Sequence, residues 1–238
     1  MALGIGYLCS HCNKVSDVPR NVIIEMYKAI MGYSPQHELK ISNDLAQELG
    51  NLKVIFDIGS RDDIEYLRVY PSAEYHLFEP NPELFEKLMA KVKDLSNVHA
   101  NCFGLGNVEG DFPYSNGLEA TSLTERFNSV GDRKVHVKTL DNYIFENHIT
   151  RIDLLKSDTE GGDHLVFLGG KTAFPITKFI QYEHWNNMES VNRILGDDFE
   201  TEYMGYRNVF CMNKKLVSKT ERQRIRDYIR NNKLGELV

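Results

Sequence analysis

Two short apolar runs, each closing on an acid, constrain the fold of this chain more than anything else in it. Val54-Ile55-Phe56-Asp57-Ile58-Gly59-Ser60 reads as a buried strand that leaves through Asp57 and Gly59. His76-Leu77-Phe78-Glu79-Pro80-Asn81 reads as its neighbour, with Glu79 following Asp57 by 22 residues. That interval holds one crossover helix. The expected fold is therefore an open α/β sheet that binds an adenosine-containing ligand at its strand carboxyl ends. A glycine at that place lets the backbone approach the ligand, and the second acid can accept hydrogen bonds from two ribose hydroxyls.

The residues after Gly59 select the cofactor. Dinucleotide sites use G-x-G-x-x-G, so that backbone N–H groups and a helix N-terminus face the pyrophosphate. Here Ser60-Arg61-Asp62-Asp63 follows, and two carboxylates would repel a pyrophosphate. S-adenosylmethionine has no phosphate but carries an ammonium, a carboxylate and a sulfonium. Asp57, Asp62 or Asp63 can meet the ammonium, and Arg61 the carboxylate. The candidate cofactor contacts are Asp57, Gly59, Ser60, Arg61, Glu79, Pro80 and Asn81.

The remaining pattern extends the sheet. A helix is expected near 63–69 and another after Pro82, with Leu84, Phe85, Leu88, Met89 and Val92 on one face. Strands follow at 97–102, 134–138, 152–158 and 178–183, with a terminal hairpin at 199–204 and 207–212 around Gly205. Strand, helix, strand at this cadence means right-handed crossovers and a mostly parallel sheet. Residues 103–132 are glycine-rich and read as a loose insertion beside the cleft, with Phe112-Pro113-Tyr114 as an edge strand. Ahead of the sheet, helical spacing over 19–32 and 43–50 marks an N-terminal extension. The expected division is 1–50 as helical extension and 51–238 as the main domain.

A net charge of −6 argues against a general nucleic-acid binder. A basic C-terminal helix, with Arg222, Arg224, Arg226 and Arg230, reads as a solvated face on a packed helix. No apolar run reaches the roughly 18 to 20 residues that span a bilayer, and Met1–Leu8 lacks the basic start of a secretion signal. Cys9-Ser10-His11-Cys12 is half of a zinc-ribbon spacing, but Cys102 and Cys211 stand alone, so reduced thiols in a cytoplasmic protein are expected. No residue is assigned as a metal ligand.

Taken together, the motifs resemble the FkbM-type branch of class I S-adenosylmethionine-dependent methyltransferases. The resemblance rests on Asp57-Ile58-Gly59, Leu77 to Pro82, Thr139-Leu140-Asp141, Asp153 to Gly161 and Tyr182-Glu183, in that order over residues 53 to about 185. It implies a doubly wound, Rossmann-like sheet and O-methylation of a hydroxyl on a sugar, glycan or related small molecule. It also implies that Asp57, Gly59 and Glu79 hold the cofactor, with Asp158 and Glu160 at its reactive end. The Ser60–Asp63 turn departs from the family pattern, which carries a small or amide residue and another glycine there.

Methyl transfer to an aliphatic hydroxyl needs a group to take up the proton. Asp158, Glu160, Glu183 and His184 lie at or just past the ends of adjacent expected strands and are the candidate catalytic residues. His184 titrates nearest neutrality and is the natural base, with Asp158 the alternative. Base catalysis is preferred over a divalent ion held by the three acids. Plainer roles are also open: Asp158 capping the next helix, Glu160 meeting that helix's dipole, His184 packing beside Trp185. Asp141 is expected to cap its own helix, and Asp163 and His164 to face solvent. Two other functions stand behind the leading one, RNA or cap O-methylation and an inactive fold kept as a binding module. An epimerase or dehydrogenase is weakest, because the phosphate loop and a Tyr-x-x-x-Lys pair are both absent.

Overall fold

A computed structural model describes residues 45–62, 65–113, 115–116, 121–122, 134–184, 188–205 and 207–232. The Cys9–Cys12 motif, the expected helix over 19–32, Asp63 and Trp185 lie outside the described residues. The chain divides into two compact units, Met1–Lys40 and Ile41–Val238. A helical turn over 45–49 belongs to the larger unit, where Leu45, Ala46 and Leu49 are buried in its core.

The apolar runs form the expected parallel strands. β1 (Val54–Ile58) pairs with β2 (Glu74–Phe78), and β2 with β3 (Val98–Asn101). On its other side β1 pairs with β9 (Ile152–Ser157), which pairs with β10 (Thr177–Glu183), all in parallel. The hairpin strands β11 (Phe199–Gly205) and β12 (Asn208–Asn213) complete a seven-stranded sheet in the order β11-β12-β10-β9-β1-β2-β3. β12 runs antiparallel between β10 and β11. The order reverses between β1 and β9, and a crevice opens there at the strand carboxyl ends. At the opposite end, buried Asp153 ties the two strands together: its Oδ2 accepts from the Lys53 and Val54 amides at 2.7 and 3.1 Å.

Both faces of the sheet are covered, which is why its strands read as continuous apolar runs. Ile55, Leu77, Leu154, Phe179 and Phe210 pack on one face, against residues 45–49, α1 (Glu65–Val69), α2 (Pro82–Val92) and α6 (Lys219–Asn232). Phe56, Phe78, Leu155, Ile180 and Cys211 pack on the other, against α3 (Leu140–Glu146), α4 (Asp163–Leu168) and α5 (Met188–Leu195). Asn81 caps α2 through Oδ1, which accepts from the Glu83 amide at 3.0 Å, and Pro82 opens the helix.

Two local expectations are corrected. The cap of α3 is Thr139, whose Oγ1 accepts from the Asn142 amide at 3.2 Å. Asp141 instead accepts from the amide and hydroxyl of Thr172. Asp163 does not face solvent, because it opens α4 with 0% exposure. The strand expected at Lys134 is present, outside the main sheet: β8 (Lys134–Thr139) sits between β4 (Gly104–Gly106) and β5 (Gly110–Pro113) in a separate three-stranded sheet. Its clean alternation belongs to a strand with one buried face, that of Val135 and Val137, and so marks it as distinct from the core. Two short strands, β6 (Ser115–Asn116) and β7 (Thr121–Ser122), pair with each other.

The arginines of α6 face carboxylates. Arg222 pairs with Glu200 at 2.9 Å, Arg224 with Glu48 at 2.6 Å, and Arg226 and Arg230 with Glu202 at 3.1 and 2.9 Å. Arg226 also pairs with Glu200. Among the described residues, no helix is long and apolar enough to cross a membrane.

Candidate active site

The crevice is built from three strand exits. β1 leaves through Gly59 with φ of 77°, and a Cβ there would stand 2.0 Å from the Asp158 carbonyl oxygen. Only glycine fits, because β9's exit passes directly over it. The Asp158 amide in turn donates to the Ile58 carbonyl at 2.9 Å, and the Gly59 and Ser60 amides donate to the Phe78 carbonyl at 2.9 and 3.1 Å. Ends of β1, β2 and β9 are thus locked together at the switch point.

On the β2 side stands Glu79, 2% exposed, with both carboxylate oxygens held by backbone donors. Oε2 accepts from the Arg61 amide at 2.9 Å and Oε1 from the Asn81 amide at 2.7 Å. Burial raises its pKa, and those two amides partly offset the rise. Each carboxylate oxygen keeps a second lone pair, so the group can still accept from two hydroxyls. Arg61 supplies its amide from a left-handed backbone, φ 51°, rare for a non-glycine residue. Asp57 is turned to the opposite face of the sheet from Phe56 and Ile58, where its Oδ1 accepts from Lys156 Nζ at 3.1 Å. Burial opposes the charge on Lys156, but the carboxylates of Asp57 and Asp158 outweigh it and raise the pKa.

On the β9 side, Asp158, Thr159 and Glu160 line the crevice, with Glu160 also left-handed at φ 53°. Beneath them Asp163 Oδ1 accepts from Ser157 Oγ at 2.6 Å and from the Thr159 amide at 3.3 Å. Its burial pushes the carboxyl pKa up to about 7, against the hydrogen bond from Ser157. Several polar atoms in this quarter are buried with no hydrogen-bond partner: Asp158 Oδ1, Thr159 Oγ1, Asp163 Oδ2, Tyr182 hydroxyl and His184 Nδ1. Native proteins pair most such atoms, and of these residues Asp158 and Thr159 line the crevice, where a ligand can supply a missing partner.

Of the candidate residues, the crevice brings together Gly59, Arg61, Glu79, Pro80, Asp158 and Glu160. Ser60 is buried behind its floor, and Asn81 is taken up as the cap of α2. Glu183 and His184 stand at the end of β10, outside the lining. The His184 amide donates to the Arg207 carbonyl at 2.8 Å. Burial, and then the Arg207 charge, lower the His184 pKa, which keeps the ring neutral near pH 7. Asp62 pairs with Lys91 at 2.9 Å rather than facing the crevice. Asp158, Glu160 and Glu183 do not form a set of closely spaced ligand atoms. Among the described residues, the cluster that does is Glu74, His76 and His99, at the other end of the strands.

Gly106, Val108 and Phe112 line the crevice, as expected of an insertion beside the cleft, while Leu84, Val137 and Leu165 complete an apolar wall that sequence reasoning missed. Nothing in the local pattern places β8 over the crevice. Lys156 was in plain view within a quoted motif, and its register opposite Asp57 was the missing signal.

Comparison with known proteins follows the same outline. The profile of the Methyltransferase FkbM domain matches residues 57–231. The 2-O-methyltransferase NoeI of Sinorhizobium fredii is 25% identical over 172 residues, covering 63% of this chain and 71% of that protein. The hexuronic acid methyltransferase AglP of Haloferax volcanii is 23% identical over 140 residues, covering 58% of this chain and 59% of that one. A crystal structure of an FkbM methyltransferase from Methylobacillus flagellatus superposes with a TM-score of 0.51 at 12% identity. It matches 68% of this chain and only 44% of its own, and supports the fold alone.

Proposed function

The chain belongs to the FkbM methyltransferase family, and on that premise we propose that it moves a methyl group from S-adenosylmethionine to a hydroxyl of a sugar or sugar acid. The observation that carries this is the crevice at the β1–β9 switch point, with Glu79 held by two backbone amides on one side and Asp158, whose Oδ1 has no hydrogen-bond partner, on the other. The names of the two curated relatives, one a 2-O-methyltransferase and one a hexuronic acid methyltransferase, support oxygen as the acceptor atom and a sugar as its bearer.

The residues fit the cofactor. Glu79 suits a ribose diol, the bare Gly59 permits close approach, and Phe78, Leu84 and Val108 offer an apolar wall for an adenine. When bound, the cofactor supplies an electrophilic methyl on sulfur. Arg61, exposed at the crevice rim, supplies a cation for the methionine carboxylate.

Asp158 is the residue best placed to hold the acceptor hydroxyl and take up its proton as the oxygen attacks, since it lines the crevice and has an unpartnered oxygen. His184, neutral and with Nδ1 unpartnered at the next strand end, is the second candidate for that proton. By fixing the acceptor hydroxyl beside the bound cofactor, these residues would supply much of the rate through positioning. The RNA reading is disfavoured because the arginines of α6 are engaged by Glu48, Glu200 and Glu202.

The test is a thermal shift with S-adenosylmethionine, S-adenosylhomocysteine and NAD. Ligand at about 100 times its dissociation constant adds roughly 2.7 kcal/mol. A rise with the first two and none with NAD is expected. A rise with NAD alone overturns the reading.

A further inference from the structure

The amino-terminal ends of the same strands carry a second constellation that methyl transfer does not use. Glu74 and His76 are two residues apart on β2 and share one face, and His99 lies opposite His76 in the β2–β3 register. His76 Nε2 is 3.2 Å from Glu74 Oε1, and His99 Nε2 is 3.4 Å from the same oxygen. All three ligand atoms lie within 4.8 Å of one another. A tetrahedral zinc ion with bonds of about 2.0 to 2.1 Å separates its ligands by about 3.3 Å, so two of the three edges already have the right length.

The surroundings agree with that geometry. His76 is 2% exposed, stacked between Phe56 at 4.5 Å and His99 at 4.9 Å, so its ring cannot turn away. Its Nδ1 meets the Tyr143 hydroxyl at 2.8 Å, and Asn101 Nδ2 donates to that same hydroxyl at 3.3 Å. Metal binding takes the tautomer with the proton on Nδ1, which then donates to the Tyr143 hydroxyl and leaves the Nε2 lone pair beside Glu74 Oε1, where an ion bound to both lies off the line joining them. A histidine whose other nitrogen is held by a fixed polar group is the usual arrangement at metal sites. Glu74 and His99 also line a polar cleft with Lys53, Ser72, Ser96 and Asn97, which gives an entry path and room for a water as fourth ligand.

We propose that Glu74, His76 and His99 bind a divalent ion of the zinc class, through Glu74 Oε1, His76 Nε2 and His99 Nε2, at the end of the sheet opposite the crevice. Two imidazoles and a carboxylate favour zinc, cobalt or nickel over magnesium or calcium. The full chain, free of any affinity tag and stripped with chelator, is titrated with Zn²⁺ and separately with Mg²⁺. The expected result is one Zn²⁺ bound per chain at this site, with no Mg²⁺ binding there. His99→Ala and Glu74→Gln each weaken it about a hundred-fold, and Tyr143→Phe about ten-fold. Co²⁺ in the parent protein should give the visible absorption of a tetrahedral site. His99 has 52% side-chain exposure, so His99→Ala should melt with the parent in chelator. Equal Zn²⁺ binding by parent and both variants, as an ion at Cys9 and Cys12 would give, overturns the proposal. So does the absence of Zn²⁺ binding in the parent.

Discussion

On the β2 side of the crevice the buried carboxylate is already held: Glu79 has a backbone amide on each oxygen, both from the segments that leave β1 and β2. On the β9–β10 side Asp158, Thr159, Asp163, Tyr182 and His184 each keep a buried polar atom with no partner. Both sides hang from one joint, Gly59 under the Asp158 carbonyl. A side whose polar groups are fixed by the fold is suited to a ligand that is the same at every turnover. A side whose polar groups wait for partners is suited to the group that must be positioned and deprotonated, and a low-dielectric setting strengthens whatever bond it then makes. Of those five residues Asp158 and Thr159 line the crevice, and the difference fits the proposed placing of cofactor on one side and acceptor on the other.

The largest expected effect separates the two sides. Asp158→Asn should lower kcat about 10²- to 10⁴-fold, the usual weight of a general base, while S-adenosylhomocysteine binds as before. Steady-state kinetics with a methylatable sugar, beside calorimetry, reads both; an unchanged kcat removes Asp158 from the chemistry. Gly59→Ala attacks the shared joint. A left-handed backbone costs about 1 to 3 kcal/mol for a residue with a Cβ, and the 2.0 Å approach to Asp158 adds to it. Urea unfolding should show a loss of about 3 kcal/mol or more, and a loss below 1 kcal/mol would deny the joint.

Asp163 sharpens the contrast through pH. Its folded pKa, near 7, is above the ordinary 3.8, so the folded state binds the extra proton and stability falls as pH rises through that interval. Asp163→Asn removes the dependence. From pH 5 to pH 8 the parent should lose about 2 to 3 kcal/mol relative to the variant, which denaturant titrations at the two pH values measure; parallel curves would refute the assignment. The smallest effect is expected far from the crevice. Arg224→Ala breaks an exposed pair with Glu48, and should cost less than about 1 kcal/mol and leave turnover untouched. A large fall in kcat there would reopen a role for the basic helix.

The parallel core was legible because strands buried on both faces are largely apolar, and Val54–Ile58, Ile152–Ser157 and Thr177–Glu183 each carry an apolar run between their few polar residues. Gly59, Glu79 and Asp158 were legible for the same reason that the fold was: they end those strands. Asp163 was misread because a polar residue after two glycines looks like a solvated helix start. Only the structure shows Ser157 and the Thr159 amide closing over it. The place of residues 103–113 beside the cleft was legible, but the pairing of β4 and β5 with β8 was out of reach, since no local period encodes pairings across the chain. Glu74, His76 and His99 were invisible for a related reason, because His99 joins the other two only through the β2–β3 register.

Calorimetric binding of S-adenosylhomocysteine to the parent, Glu79→Ala and Asp158→Asn tests whether the crevice is divided in this way. The account predicts tight binding to the parent, equal binding to Asp158→Asn, and affinity about ten- to thirty-fold weaker for Glu79→Ala, the worth of a charge-assisted bond. Weakened binding in Asp158→Asn with full affinity in Glu79→Ala would contradict it.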